Sequence, residues 1–150
     1  MVDSIDLGAR IEEGIRLLTY RQTDEARSVF LEVWRIALGS GDHYYACAAA
    51  HMLGVMEPMP LEEKLGWHLE SLDQANRVRD GRVGGWYPSI HINLGLVYRL
   101  LNKPAEALSC YERAMLHTDA LEDASYAEAL RSSIEKAVTG LKGVEGTETR

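Results

Sequence analysis

The residues of this sequence that could support chemistry are its five histidines, its two cysteines and several adjacent pairs of acids. Histidines that bind a metal from one helix typically stand four residues apart, often with a glutamate that acts as a base. None of the five histidines in this sequence has a second histidine or a glutamate at such a spacing. They are His43, His51, His68, His91 and His117. We therefore expect neither a metal site nor a cofactor.

The other reactive groups do not form a recognisable catalytic arrangement. Cys47 and Cys110 lie in predicted helices at a spacing that matches no metal or redox motif, which indicates buried free thiols. The glycine-rich segment 81–85 lacks the Lys-Ser or Lys-Thr of a phosphate-binding loop. An enzyme needs a nucleophile beside a base, paired carboxylates in a cleft, or a metal with an open position. We therefore predict a protein that is not an enzyme.

Charge and hydropathy argue against two further classes of function. The chain has 150 residues and a formal charge of −7, without a cluster of basic residues, so we expect no nucleic-acid partner. Residues 1–6 include two acids, unlike a signal peptide, and no apolar run approaches the roughly 18 residues that span a bilayer. We therefore expect a cytoplasmic protein without membrane contact.

Apolar residues recur with helical spacing along almost the whole chain, which predicts an all-α fold. We expect a single helical domain over residues 1–142 and a disordered tail over residues 143–150, because the tail is polar and contains glycine. The predicted helices are about 4–20, 23–38, 42–57, 61–79, 86–102, 104–117 and 121–141. The last carries an apolar stripe that begins at Tyr126.

One segment carries a recognisable repeat pattern. Residues 91–98 read His-Ile-Asn-Leu-Gly-Leu-Val-Tyr, and Ala107, Tyr111 and Ala114 follow at fixed spacings. This pattern resembles the tetratricopeptide repeat, in which Trp-x-x-Leu-Gly-x-x-Tyr is followed by Ala-x-x-x-Phe. His91 stands in the Trp position and Tyr111 in the Phe position.

Two weaker copies of this pattern precede it, one around Gly14 and one around Gly54. The copy around Gly54 aligns only if the loop between its two helices is two residues shorter. Three positions in the second helix of each copy, called here the second-helix positions, are Ala26, Phe30 and Val33; Lys64, His68 and Ser71; and Ala107, Tyr111 and Ala114.

The resemblance implies a right-handed α-α superhelix of about three helix pairs, closed by a C-terminal capping helix. Such repeats stack into a binding surface, so the resemblance implies an adaptor or scaffold that binds a peptide segment in its concave groove. The first helix of each pair lines that groove, and residues three or four apart share its face. The expected groove residues are Ile11, Ile15, His51, Val55, Ser89, Ile92, Asn93, Leu96 and Arg99.

Other interpretations remain open at this point. The groove could be filled by neighbouring helices, which would make these residues part of the core. The chain could be a sensor subunit for a small ligand or peptide, or a structural protein that forms a homodimer. Trp86 and Tyr87, beside Gly84 and Gly85, could form a second contact surface, because aromatic residues are common binding hot spots.

Overall fold

The computed structural model describes residues 5–148, with side chains described as far as residue 143. This part of the chain is helical and contains no strand, which confirms the all-α prediction. Two short 3₁₀ turns cover Gly84–Trp86 and Thr118–Ala120. The helices are α1 (Leu7–Thr19), α2 (Thr23–Ser40), α3 (His43–Val55), α4 (Leu61–Arg77), α5 (Tyr87–Leu100), α6 (Pro104–His117) and α7 (Ala124–Glu148).

The chain divides into two compact units, one up to Asp80 and one from Gly81 onward. The first contains α1 to α4, in which α1 packs on α2 and α3 packs on α4. The second contains α5 to α7, in which α5 packs on α6 and α6 packs on α7. The three predicted helix pairs are therefore present, and a single domain over residues 1–142 stays a prediction.

Short polar residues and proline set the starts of several helices. The Asp6 carboxylate accepts a hydrogen bond from the Ala9 amide at 3.0 Å and begins α1. The Asp42 carboxylate begins α3 in the same way, because side-chain oxygens satisfy amides that the first turn leaves free. Pro104 is the first residue of α6, where its missing amide proton costs no hydrogen bond.

Each helix pair has the same internal packing. The second-helix positions are all buried, with exposed fractions between 0% and 8%. The glycine of each first helix lies under an aromatic ring of its partner helix, so even a methyl group would collide with that ring. An added Cβ at Gly14, Gly54 and Gly95 would lie 2.5, 2.6 and 2.9 Å from ring carbons of Phe30, His68 and Tyr111, respectively.

Helix α7 covers the open side of α6. Ile134 and Leu141 are buried in one cluster with the α6 residues Tyr111 and Ala114. Tyr126 is 48% exposed, so its predicted place in the apolar stripe is wrong; the next residue, Ala127, is buried instead. The helix starts and ends later than expected.

The predicted tail of residues 143–150 begins within α7, which is described as far as Glu148. Residues 149 and 150 lie outside the described part of the chain. Helix α4 ends at Arg77, two residues before the predicted end, and Trp86 belongs to a 3₁₀ turn rather than to α5.

Candidate functional site

The residue that directly follows each motif glycine is aliphatic and exposed. Ile15, Val55 and Leu96 have exposed fractions of 43%, 41% and 40%. Because each glycine faces the partner helix, the next residue is rotated by about 100° around its own helix and leaves that contact. All three helix pairs thus place an aliphatic side chain in solvent at the same repeat position.

The remaining residues of the predicted groove face are only partly open. Ile11 packs against two core clusters of the first unit, and Ile92 packs against a cluster that joins α6 to α7. His51, Ser89 and Asn93 are half-buried. These side chains are therefore partly covered by neighbouring helices, whereas the residues directly after the glycines are more exposed to solvent.

His51 is one of the expected groove residues, and its ring lies near a second histidine. The ring centroids of His51 and His68 are 6.5 Å apart. Burial lowers the pKa of His51. The pKa of His68 is lowered to about 4, mainly by burial and further by the charges of His51 and Lys64. Both rings are therefore neutral near pH 7, where His51 can offer a hydrogen bond but no charge.

Lys64 has a role that the sequence did not predict. It occupies a second-helix position that holds alanine in the other two pairs, yet it is only 8% exposed. Its Nζ donates to the carbonyl oxygens of Gly54 at 3.1 Å and Met56 at 3.0 Å, and it forms an ion pair with Glu57 at 2.8 Å. Lys64 therefore satisfies carbonyls at the end of α3, which a helix leaves unpaired. The sequence signal for this role was a lysine at a repeat position that holds alanine in the other two pairs.

Arg99 lies exposed near the end of α5, three residues after Leu96 and therefore on a neighbouring part of the helix surface. Together with Lys136 of α7 it lines a cleft of about 320 Å³ in the second unit. The sequence placed Arg99 on the groove face but did not predict this cleft, because no local pattern indicates where α7 lies against the turn between α5 and α6.

Trp86 and Tyr87, the predicted second surface, are half-buried. The Tyr87 ring stacks on His117, with centroids 4.7 Å apart, and His117 stacks on His91 at 5.5 Å. His91 is only 4% exposed, and burial, aided by the charges of His117 and Arg113, lowers its pKa to about 4. Tyr87 therefore packs within its own unit.

The two cysteines are buried free thiols, as predicted. The Sγ of Cys47 lies 3.4 Å from the Ser71 hydroxyl, and burial raises the pKa of both thiols. Among residues 5–143, no three His, Cys, Asp or Glu side chains lie together in a way that could hold a metal ion. Of the helices described, none is long and apolar enough to cross a membrane.

Comparison of the chain with models of known protein families, with curated proteins and with solved structures finds no match.

Proposed function

We propose that this protein is a non-catalytic interaction module of the tetratricopeptide type, which binds peptide segments on the first helices of its helix pairs. We also propose that its helix pairs stack into the right-handed superhelix that such repeats form. Supporting the proposed binding is the recurrence of an exposed aliphatic residue at one repeat position, held by Ile15, Val55 and Leu96. Polar side chains are readily accommodated at a solvent-exposed position, yet this position holds an aliphatic residue in all three pairs.

The proposal concerns the face that each unit presents by itself. In the first unit α1 and α3 contact each other, so Ile15 and Val55 belong to neighbouring helices. In the second unit Leu96 is flanked by Arg99, a donor that can hold a carboxylate or a backbone carbonyl of a peptide. Apolar side chains of a peptide would be buried against these aliphatic residues, which is how groove-binding segments are recognised.

A random-peptide display library provides the test, because it samples many peptide sequences at once and requires no named partner. Peptides selected on the wild-type protein are measured against Ile15→Ser/Val55→Ser for the first unit and against Leu96→Ser for the second. The matched controls are Leu38→Ser/Leu69→Ser and Leu116→Ser. These exposed leucines lie on the second helices of the pairs, and all variants are compared at equal helicity by circular dichroism.

Loss of binding in a first-helix variant, with binding retained in the control of the same unit, is the expected result. Equal loss in both sets, or loss only in the controls, contradicts the proposal, and so does a library that yields no binder. If light scattering instead finds a stable dimer that Leu96→Ser or Ile15→Ser/Val55→Ser dissociates, the exposed residues serve self-association.

A further inference from the structure

A cleft in the second unit combines basic side chains with an apolar wall. It lies between the turn that connects α5 to α6 and one side of α7, and its volume is about 320 Å³. Arg99 and Lys136 contribute its positive charge. Its apolar surface comes from Pro104, Ala137 and Leu141. Among the described residues that line the cleft, none is acidic.

The two cations of the cleft have no ion-pair partner among the side chains that the structure describes. Neither the Arg99 guanidinium nor the Lys136 ammonium group forms a hydrogen bond or an ion pair with another described residue. By contrast, Arg131 on the same helix α7 forms an ion pair with Asp119 at 2.8 Å. Two like charges that border one cleft repel each other, and an anion bound near both would offset that repulsion.

We propose that this cleft binds a small amphipathic anion. Its anionic oxygen group, a carboxylate or a phosphate, is held by Arg99 and Lys136, and its short apolar group lies against Leu141 and the adjoining apolar residues. The planar fork of arginine matches two oxygens of such a group, while lysine supplies a point charge.

The size of the cleft limits the ligand. Ligand pockets usually measure roughly 300–1,000 Å³, so this cleft is at the small end of that range. It suits a compact molecule rather than a large cofactor. This inference shares Arg99 with the proposed peptide-binding face but does not depend on it, because the cleft also uses Lys136 and Leu141 of α7 and takes a small molecule rather than a peptide.

The first experiment is calorimetric titration of the full chain with acetate, butanoate and hexanoate, with hexan-1-ol as the uncharged probe. Affinity should rise with chain length, by up to about fourfold for each methylene that becomes buried. Hexanoate should bind at least about tenfold more tightly than hexan-1-ol, because the alcohol cannot form the charged hydrogen bonds. Hexyl phosphate tests the head group: tighter binding than hexanoate assigns a phosphate, and weaker binding assigns a carboxylate.

A pair of glycine variants places the ligand in the cleft. Gly140 lines the cleft, and a Cβ added there meets no atom within 4 Å, so Gly140→Leu can be accommodated while occupying space beside the cations. Gly143 lies on the same helix with equally open surroundings but does not line the cleft, which makes Gly143→Leu the control. We expect Gly140→Leu to weaken hexanoate binding about tenfold or more and Gly143→Leu to leave it unchanged.

A charge variant keeps the proposal testable if Gly140→Leu disturbs the helix. Arg99→Gln/Lys136→Gln retains hydrogen-bonding side chains of similar length without the charges, and it should also weaken hexanoate binding about tenfold or more. The proposal is overturned if neither hexanoate nor hexyl phosphate binds more tightly than hexan-1-ol at millimolar concentrations. It is equally overturned if the charge variant and Gly140→Leu, both folded by circular dichroism, bind hexanoate as the wild-type protein does.

Discussion

Replacing Gly14 by alanine tests the packing that the three helix pairs share. The added methyl carbon would lie 2.5 Å from Cε1 and 2.7 Å from Cζ of Phe30, distances far inside van der Waals contact. Phe30 is fully buried, so its ring cannot move aside without disturbing the core around it. The matched control is Gly66→Ala in α4 of the same unit, where an added Cβ meets no atom within 4 Å.

Gly66→Ala should stabilise the protein, whereas Gly14→Ala should leave its stability unchanged or lower it. Alanine is favoured over glycine in a helix interior by about 1 kcal/mol, so Gly66→Ala should stabilise the protein by about that amount. Gly14→Ala has the same gain but also overpacks the core, which typically costs about 1–3 kcal/mol. The unfolding free energies of the two variants should therefore differ by about 1–3 kcal/mol, which corresponds to at least about 2 °C in Tm for a chain of this size.

Urea unfolding followed by circular dichroism measures this difference, and a double variant identifies its cause. Phe30→Leu costs stability by itself, but it removes the ring that the methyl group strikes. In that background Gly14→Ala should therefore be less harmful, because the two effects are not additive. If Gly14→Ala stabilises the protein as much as Gly66→Ala does, the ring contact is not a constraint and the assignment of a shared helix-pair packing fails.

Two further predictions follow from buried polar groups. The pKa values of His68 and His91 are about 4 in the folded protein, below the value of about 6.5 in the unfolded chain. As the pH falls, the unfolded chain is therefore protonated first. The free energy of unfolding should be greatest above pH 6.5 and should fall between pH 6.5 and pH 4, by up to about 3 kcal/mol for each histidine. Urea unfolding at several pH values checks this, and His68→Phe should remove part of the dependence; a stability that is constant between pH 7 and pH 4 would contradict the buried neutral rings. Lys64→Met should lower the unfolding free energy by about 2–3 kcal/mol, because carbonyls at the end of α3 lose their charged donor. The exposed control Lys142→Met should change it little, and equal effects of the two substitutions would show that Lys64 has no special role.

Much of the local structure could be predicted from the sequence because it depends on local signals. Helical periodicity, proline at the first position of α6 and the glycine at residue 41, where φ is +73°, act over only a few residues. The second-helix positions that the repeat pattern picks out are all buried, including His68 in an aromatic position. The end of α7 was less predictable, because helix ends depend on weak preferences that packing can override.

The candidate site was predicted less completely than the fold. Spacing placed eight of the nine expected groove residues on one face, and the resemblance added Asn93. Spacing could not show that Ile11 and Ile92 pack into cores while Ile15 and Leu96 stay exposed. Whether an apolar residue is covered depends on the helix that packs beside it, which sequence periodicity does not specify. The same limit applied to Tyr87, whose ring stacks on His117 of α6 rather than standing free.

The sequence by itself thus determined the helices, their pairing and the glycine that each aromatic ring covers, because these follow from spacings within about 20 residues. Only the tertiary structure decided where distant residues meet. Lys64 satisfies carbonyls of α3, and Arg99 shares a cleft with Lys136, 37 positions later in the chain. Those contacts depend on how whole helices pack, and packing is fixed by the summed fit of many side chains rather than by any local pattern.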